Sequence, residues 1–264
     1  MKLATDKMIA EKKNGVGWMT FNNPERRNAT SLEMWQAIGV IMEEFSRDPD
    51  VKCCVMKGAG DKAFVSGADI SQFKEKRNDA DAAAEYDKIS NDARQKLAQF
   101  QKPLIAMIRG YCLGGGLGVA MNADFRIASE DSQFGIPAAR LGIAYTFDNI
   151  KRLVDLVGPS YAKEILVTAR RLGAAEAYQI GLINRVVPAN DLEKAVADFT
   201  DAITVNAPLS MKASKLIIAE ILKDKDARDY AMIDDLKREC FDSNDYKEGR
   251  EAFMEKRKPV FTGT

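Results

Sequence analysis

At 264 residues, 46% of them apolar, and with 39 basic side chains balanced by 39 acidic ones, the chain has room for one large α/β domain with a helical extension, and it carries no net charge to draw in nucleic acid or a membrane surface. It contains no histidine, which excludes Ser-His-Asp and Cys-His machinery, a histidine general base and histidine-ligated zinc or iron; any acid or base must be a carboxylate, Tyr, Lys, Cys or bound water. No apolar run is long enough to span a membrane and Met1–Gly15 lacks a signal-peptide core, so a cytoplasmic location is expected.

Lys7–Lys13 and Val16–Phe21 read as two strands joined at Asn14-Gly15, a strong hairpin signal. Asn22–Arg27 is a polar turn around Pro24. Thr30 is expected to open a helix, with Glu33 completing a capping box, and Leu32, Trp35, Ile38, Met42 and Phe45 then repeat at helical spacing to about Arg47. Trp35 is most simply a core aromatic of that face. Val51–Lys57 is a short strand, on which Cys53 and Cys54 point to opposite faces and so form no redox pair. With Cys112 and Cys240 they read as small buried residues in a reducing compartment. After Ile70 the chain turns polar. Lys74–Asp81 has no apolar period and is expected to be a mobile loop; the stretch from there to Phe100 is helix-forming. Pro103–Ile108 and Phe125–Ala128 read as buried strands, and the strand–helix alternation from 51 to 130 argues for a parallel sheet with crossover helices. Asn149–Val157, Ser160–Val167 and Ala174–Gln179 are helical. Asp191–Val205, Leu209–Leu222, Ala227–Phe241 and Asp245–Lys256 form a late helical block, with a boundary near Asn206-Ala207-Pro208 that divides a 1–205 core from a 206–264 helical region.

Chemistry concentrates in two stretches of small residues. Gly114, Gly115 and Gly116 follow the Pro103–Ile108 strand and precede Leu117–Met121, which reads as a buried helix. A glycine turn that opens a helix aims unsatisfied N–H groups at whatever sits there, and negative charge, a phosphate or an oxyanion, is the natural ligand. No Gly-Lys-Ser/Thr follows, so this is not a Walker loop. Ala63–Ile70 places small residues soon after the Val51–Lys57 strand in the same manner.

Together, KAFVSGADI and GYCLGGGLGVAMNAD resemble the two oxyanion-hole segments of the crotonase superfamily, the enoyl-CoA hydratase/isomerase family. FNNPERRNA, AARLGIA, ARRLGAAEAYQIGLINRVV and EGREAFMEKRKPVF look like further family segments in the family order, so the resemblance runs from about Ile9 to Phe261. It implies an α/β fold, a crotonase-like spiral of ββα units with a C-terminal helical region that mediates trimerisation, as a homotrimer or dimer of trimers. It also implies an acyl-CoA thioester substrate, with coenzyme A as part of the substrate and no separate cofactor or metal. The matching oxyanion donors are the backbone N–H groups of Ala68 and Gly115. Ser66, Asp69 and Ile70 are expected to border the substrate beside Ala68. Arg26 and Arg27 match the nucleotide-binding turn; Phe253 and Lys256 match a C-terminal segment that reaches coenzyme A, often from a neighbouring subunit. Asp69 and Asp124 match positions that carry structural aspartates.

The chain departs from the family's hydratases at both of their glutamates. One family glutamate lies three residues after the central glycine, where this chain has Gly118; the other follows the proline of an FGxPE segment, where Phe134-Gly135-Ile136-Pro137 is followed by Ala138. Neither residue transfers a proton, and restoring both as glutamate is expected to raise hydration. The family's Gly-rich run after Leu141-Gly142 is replaced by Ile143-Ala144-Tyr145-Thr146-Phe147-Asp148-Asn149. Tyr145 aligns with a tyrosine of the methylmalonyl-CoA decarboxylase branch that helps orient the departing carboxylate. It is otherwise a packing residue, and Thr146 and Asp148 are weaker candidates, Asp148 equally an N-cap. Three readings remain: a decarboxylase or other lyase-type enzyme using Tyr145; a hydratase or isomerase whose acid/base group lies elsewhere, such as Glu85 or Tyr86; and a thioester-binding protein with little turnover.

Overall fold

The structure, a computed structural model, describes residues 1, 3–69 and 80–264. Strands β1 (Met8–Lys13) and β2 (Val16–Phe21) pair antiparallel from Met8↔Phe21 to Lys13↔Val16. Their two-residue loop takes positive φ at both Asn14 (54°) and Gly15 (78°), as the mirror-image hairpin turns require. Helix α1 (Leu32–Arg47) follows. Its N-cap is Ser31, which accepts a hydrogen bond from Met34 N at 3.4 Å, and not Thr30 as expected. Thr30 is held instead in a parallel bridge with Ala68, an extended conformation that leaves the cap to its neighbour.

Beyond α1 the chain repeats a strand–strand–helix unit. The first is β3 (Cys53–Gly58), β4 (Ala63–Val65) and α2 (Ala80–Ala98); the second is β5 (Leu104–Ile108), β6 (Tyr111–Leu113) and α3 (Gly115–Ala120); the third begins with β7 (Phe125–Ser129) and β8 (Gln133–Gly135). The first strand of each unit enters a six-stranded sheet that β10 (Arg185–Val187) completes, in the order β1-β2-β3-β5-β7-β10, parallel from β2 onward. The second strand of each enters a smaller sheet closed by β9 (Leu172–Gly173), in the order β4-β6-β8-β9. This spiral of ββα units is the expected fold. The expectation of a single parallel sheet missed the second sheet, because strands of two or three residues are too short to carry an alternation of period two.

The parallel strands are apolar on both faces, as strands covered on both sides must be. On β3, Cys54 and Met56 belong to the same buried cluster as Trp35, Ile38 and Met42 of α1. Cys53 and Val55 face the other way, toward Leu192 and Val196 of α6 (Leu192–Thr204). Cys53, Cys54 and Cys112 are buried and all four cysteines are free. Burial pushes the Cys53 thiol up to about 12 and those of Cys54 and Cys112 higher still, so none of the three is a thiolate at neutral pH.

Helix α4 (Phe147–Thr168) breaks at Gly158 (φ 74°) before Pro159, giving the two expected segments. Its N-cap is Thr146; Asp148 sits in the first turn and does not cap the helix. After α5 (Ala174–Gln179) and α6, the helices α7 (Pro208–Ile221), α8 (Tyr230–Asp242) and α9 (Asn244–Glu255) form the C-terminal region. Asp229 and Ser243 cap α8 and α9. Lys215 ties α7 to the sheet by donating to Asp124 Oδ2 (2.8 Å) and Lys102 O (2.9 Å). Asp124 also accepts from Leu104 N at 2.7 Å, which gives it the structural role expected. Positions 74–79 of the expected loop lie outside the described residues, whereas Ala80 and Asp81 already belong to α2. Among the described residues no helix is long and apolar enough to cross a membrane.

Candidate active site

In a parallel bridge, one residue spends its N–H and C=O on the two neighbours of its partner, so the partner's own groups point away. Thr30 N donates to Gly67 O (2.9 Å) and Asp69 N donates to Thr30 O (2.9 Å). The Ala68 N–H is therefore turned from this pairing. Across from it, Gly114 N donates to Gly135 O (2.8 Å), while Gly115, the first residue of α3, has no carbonyl within its own helix to bond. The two backbone segments nearly touch: a Cβ placed on Gly115 would lie 3.7 Å from Ala68 N, and one on Gly67 would lie 4.0 Å from Gly115 N. Gly116 sets this spacing, since a Cβ there would sit 2.0 Å from Val65 O. Only glycine lets α3 rest on β4. Backbone N–H groups fixed by a sheet and by a helix start are the kind of donor that a developing oxyanion needs.

These donors border a cavity of about 390 Å³. Ser66, Gly67, Ala68, Gly114 and Gly115 form one wall, Ala138 and the 141–146 loop another, and Tyr86, Ser90 and Arg94 of α2 a third. Helix α2 thus covers one side of this cavity. Ala138 lines the cavity directly. Gly118 is buried behind Tyr145: a Cβ there would lie 3.0 Å from Tyr145 Oη and 3.4 Å from Asn149 Oδ1. The space a side chain at 118 would enter is already filled, so the expectation that glutamates alone restore a hydratase site needs correction. Tyr145 Oη donates to Gly114 O at 3.0 Å. Burial pushes its pKa above the ordinary phenol value, against the opposing pull of the Arg94 charge, so it is a neutral donor and no base near pH 7.

Arg94 is held in place on two sides. Its guanidinium lies 4.4 Å from the centroid of the buried Trp35 ring, and Nη1 donates to Ser90 Oγ (3.0 Å) and Asn91 Oδ1 (3.3 Å). Trp35 Nε1 in turn donates to Tyr86 Oη at 3.2 Å. Trp35 is therefore a core residue that also supports the cavity wall. Of the displaced acid/base candidates, Tyr86 lines the cavity, while Glu85 is exposed and does not. Thr146 lines it too, its hydroxyl accepting from Asn149 Nδ2 (2.9 Å); Asp148 borders an adjoining polar pocket.

The turn carrying Arg26 and Arg27 is bonded to the Ala68 segment: Ser66 N donates to Arg27 O (3.1 Å) and Ser66 Oγ to Arg26 O (3.4 Å). Both arginines are exposed. Phe253 and Lys256, at the end of α9, do not line this cavity; Phe253 borders a groove with Phe241 and Tyr246 and is 82% exposed. Asp69 adjoins Ala68 but is not part of the cavity wall, and Ile70 lies outside the described residues.

Asn28 is the residue that sequence reasoning missed. Fully buried with φ 56°, it accepts from Asn23 N (2.9 Å) and donates Nδ2 to Ala59 O (3.0 Å) and Ala63 O (2.7 Å). It locks the turn to both ends of the β3–β4 connection. The one signal in the sequence is asparagine's tolerance of left-handed φ inside a polar turn. Asn28→Ala removes the partner of three backbone groups, two of them buried, and the expected loss is about 2–4 kcal/mol, read as a lowered urea midpoint at unchanged m-value. A loss under about 0.5 kcal/mol, the range of an ordinary surface change, would remove the assignment.

Comparisons with known proteins agree along the whole length. The family model described as enoyl-CoA hydratase/isomerase matches residues 11–264. The chain is 36% identical over 251 residues to a short-chain-enoyl-CoA hydratase of Clostridium acetobutylicum, covering 95% of each chain. It is 35% identical over 259 residues to a crotonyl-CoA hydratase of Syntrophomonas wolfei, covering 98% of this chain and 99% of that one. Among solved structures, an enoyl-CoA hydratase/carnithine racemase from Magnetospirillum magneticum superposes with a TM-score of 0.93 at 34% identity, covering 99% of this chain and 97% of that one.

Proposed function

Because the chain belongs to the enoyl-CoA hydratase/isomerase family of the crotonase superfamily, we propose that it holds an acyl-CoA thioester carbonyl between the N–H groups of Ala68 and Gly115 and removes CO₂ from a malonyl-type acyl group, with Tyr145 as proton donor. The observation that carries this reading is the seat of Tyr145. It fills the space in front of Gly118, in a cavity whose other hydratase position is Ala138.

The bond from Cα to the carboxylate carbon breaks, and its electron pair moves into the enolate. The thioester oxygen takes the negative charge and CO₂ departs. Two N–H donors meet that charge where it develops, each worth on the order of 3 kcal/mol. Cleavage itself generates the carbanion, so no carboxylate base is needed. The neutral Tyr145 hydroxyl, rotated from the Gly114 carbonyl, gives its proton to Cα and is reprotonated from water.

A second reading is favoured by the two relatives reported above, both named as hydratases. In this chain water addition requires a proton-transfer group away from positions 118 and 138; of the two candidates named from the sequence Tyr86 lines the cavity, and the Asp87 carboxylate lines it as well. We place the nucleotide of coenzyme A at the Arg26–Arg27 turn. Phe253 and Lys256 act across a subunit boundary in a homotrimer or dimer of trimers. Support for the latter is the apolar C-terminal surface, where Phe253, Met254 and Val260 are 82, 80 and 73% exposed. Four free thiols fit a cytoplasmic enzyme.

The deciding experiment is a panel assay with malonyl-, methylmalonyl-, crotonyl- and branched enoyl-CoA, alongside calorimetry with acetyl-CoA. Decarboxylation of a malonyl-type thioester, with acetyl-CoA binding in the micromolar to sub-millimolar range, is the expected outcome. Turnover of enoyl-CoA alone would overturn the decarboxylase reading in favour of the second one. Binding without turnover of any thioester would leave a binding protein.

A further inference from the structure

The outer face of the smaller sheet gathers positive charge without a counter-charge. Tyr111 opens β6, in register with Ala63 of β4 and Gln133 of β8. Its neighbour Cys112 is buried while Tyr111 is half-buried, so the Tyr111 ring lies on the side of the sheet turned to solvent. Two guanidiniums meet this ring, Arg27 at 5.3 Å and Arg171 at 5.2 Å from its centroid. Arg27 comes from the turn bonded to Ser66. Arg171 directly precedes β9, and its Nη1 also donates to Gln133 Oε1 at 3.3 Å. Attraction to the ring face holds together two like charges that would otherwise separate. Among the described residues neither guanidinium makes an ion pair. Glu164 and Glu176 are both taken by the adjacent Arg170, Asp131 accepts from Ser129 Oγ, and Glu25, in the Arg27 turn, pairs with neither arginine. Arg26 is exposed in the same turn. Guanidiniums placed in this way are suited to a phosphate, which accepts paired N–H bonds from each.

We propose that Arg27 and Arg171, arrayed on Tyr111, bind the 3′-phosphate of the coenzyme A nucleotide, and so make the protein specific for acyl groups carried on coenzyme A over those carried on a bare pantetheine arm. The inference rests on the nucleotide lying at the Arg26–Arg27 turn, and it does not depend on which reaction follows at the thioester. Tyr111 is four residues before Gly115, at most about 14 Å along the chain. The pantetheine and diphosphate that join a thioester to the nucleotide are longer than this when extended, so both ends can be held at once. A phosphate monoester carries roughly 1.5 to 2 negative charges at neutral pH. It is therefore the part of coenzyme A that a pair of cations distinguishes best.

The test compares acetyl-CoA with acetyl-dephospho-CoA, which differ only in that phosphate, by calorimetry. The unaltered protein is expected to bind acetyl-CoA more tightly by about tenfold or more, the usual effect of hydrogen bonds to a charged group. Arg171→Met is expected to cut that ratio at least threefold, and Arg27→Met with Arg171→Met to bring it within twofold. Arg171→Lys, which keeps the charge but not the fork, is expected to fall between Arg171→Met and the unaltered protein. Equal affinities in the unaltered protein would overturn the assignment, as would a preference that survives the double change. Binding of inorganic phosphate without any such preference would give the two arginines to a free anion and overturn it as well. The comparison on the unaltered protein stands even if a variant does not fold. Failure to bind acetyl-CoA at millimolar concentration would overturn the acyl-CoA reading itself; acetyl-CoA binding without the 3′-phosphate preference would overturn only the role of Arg27 and Arg171.

Discussion

Crotonyl-CoA hydration by the unmodified protein is expected to run below about 10⁻³ s⁻¹. An enzyme on its own substrate turns over at about 10 s⁻¹, and each acid/base group contributes roughly 10²–10⁴-fold. With Gly118 and Ala138 both groups are missing, so a deficit of about 10⁴ is the smaller end of the range. The structure also says what repair demands. A side chain on Gly118 meets Tyr145 Oη at 3.0 Å, so Gly118→Glu with Ala138→Glu must first displace Tyr145 and break its bond to Gly114 O. We expect that pair of changes to leave hydration within about tenfold of the unmodified rate, and the same pair with Tyr145→Ala to raise it further. Spectrophotometric loss of the enoyl chromophore measures both. A rate of about 10 s⁻¹ in the unmodified protein would mean that another residue acts as acid and base.

Tyr145→Phe is expected to lower kcat on a malonyl-type thioester by about 10²–10³-fold, the usual effect of removing one hydrogen-bond donor aimed at a transition state. The ring remains, so the space in front of Gly118 stays filled and packing is kept. What is lost is the hydroxyl that donates to Gly114 O at 3.0 Å. Affinity for acetyl-CoA, which has no carboxylate to shed, is expected to change by less than about threefold, and the two readouts together separate a proton donor from a scaffold. Equal kcat for the variant and the unmodified protein would return Tyr145 to a packing role.

The frame of this fold is legible in the sequence because it is written in long-period features. Asn14-Gly15, the α1 stripe ending at Phe45, the apolar runs of β3 and β5 and the Gly158-Pro159 break each determine local structure through residues near in sequence. The glycine triplet and the small residues at 63–69 are legible for a related reason, since few other side chains permit such backbone. Short strands such as β6 and β8 are not legible: three residues paired to distant partners leave no local pattern. The same holds for Arg94, whose place on the cavity wall depends on Trp35, far away in the chain. Gly118 showed that a carboxylate was missing, but only the fold reveals that Tyr145 has taken its room.

Asn28 and the Thr30–Ala68 bridge act together as well as locally. The exposed turn at Arg26 and Arg27, the buried asparagine behind it and the strand that offers the Ala68 N–H are bonded at Ser66, Gly67 and Asp69 into a single stiff body. The Ala68 N–H thus sits at one end of a bonded segment whose other end is on the protein surface. A displacement of the Arg26–Arg27 turn is therefore expected to reach the Ala68 segment through the bonds at Ser66, Gly67 and Asp69.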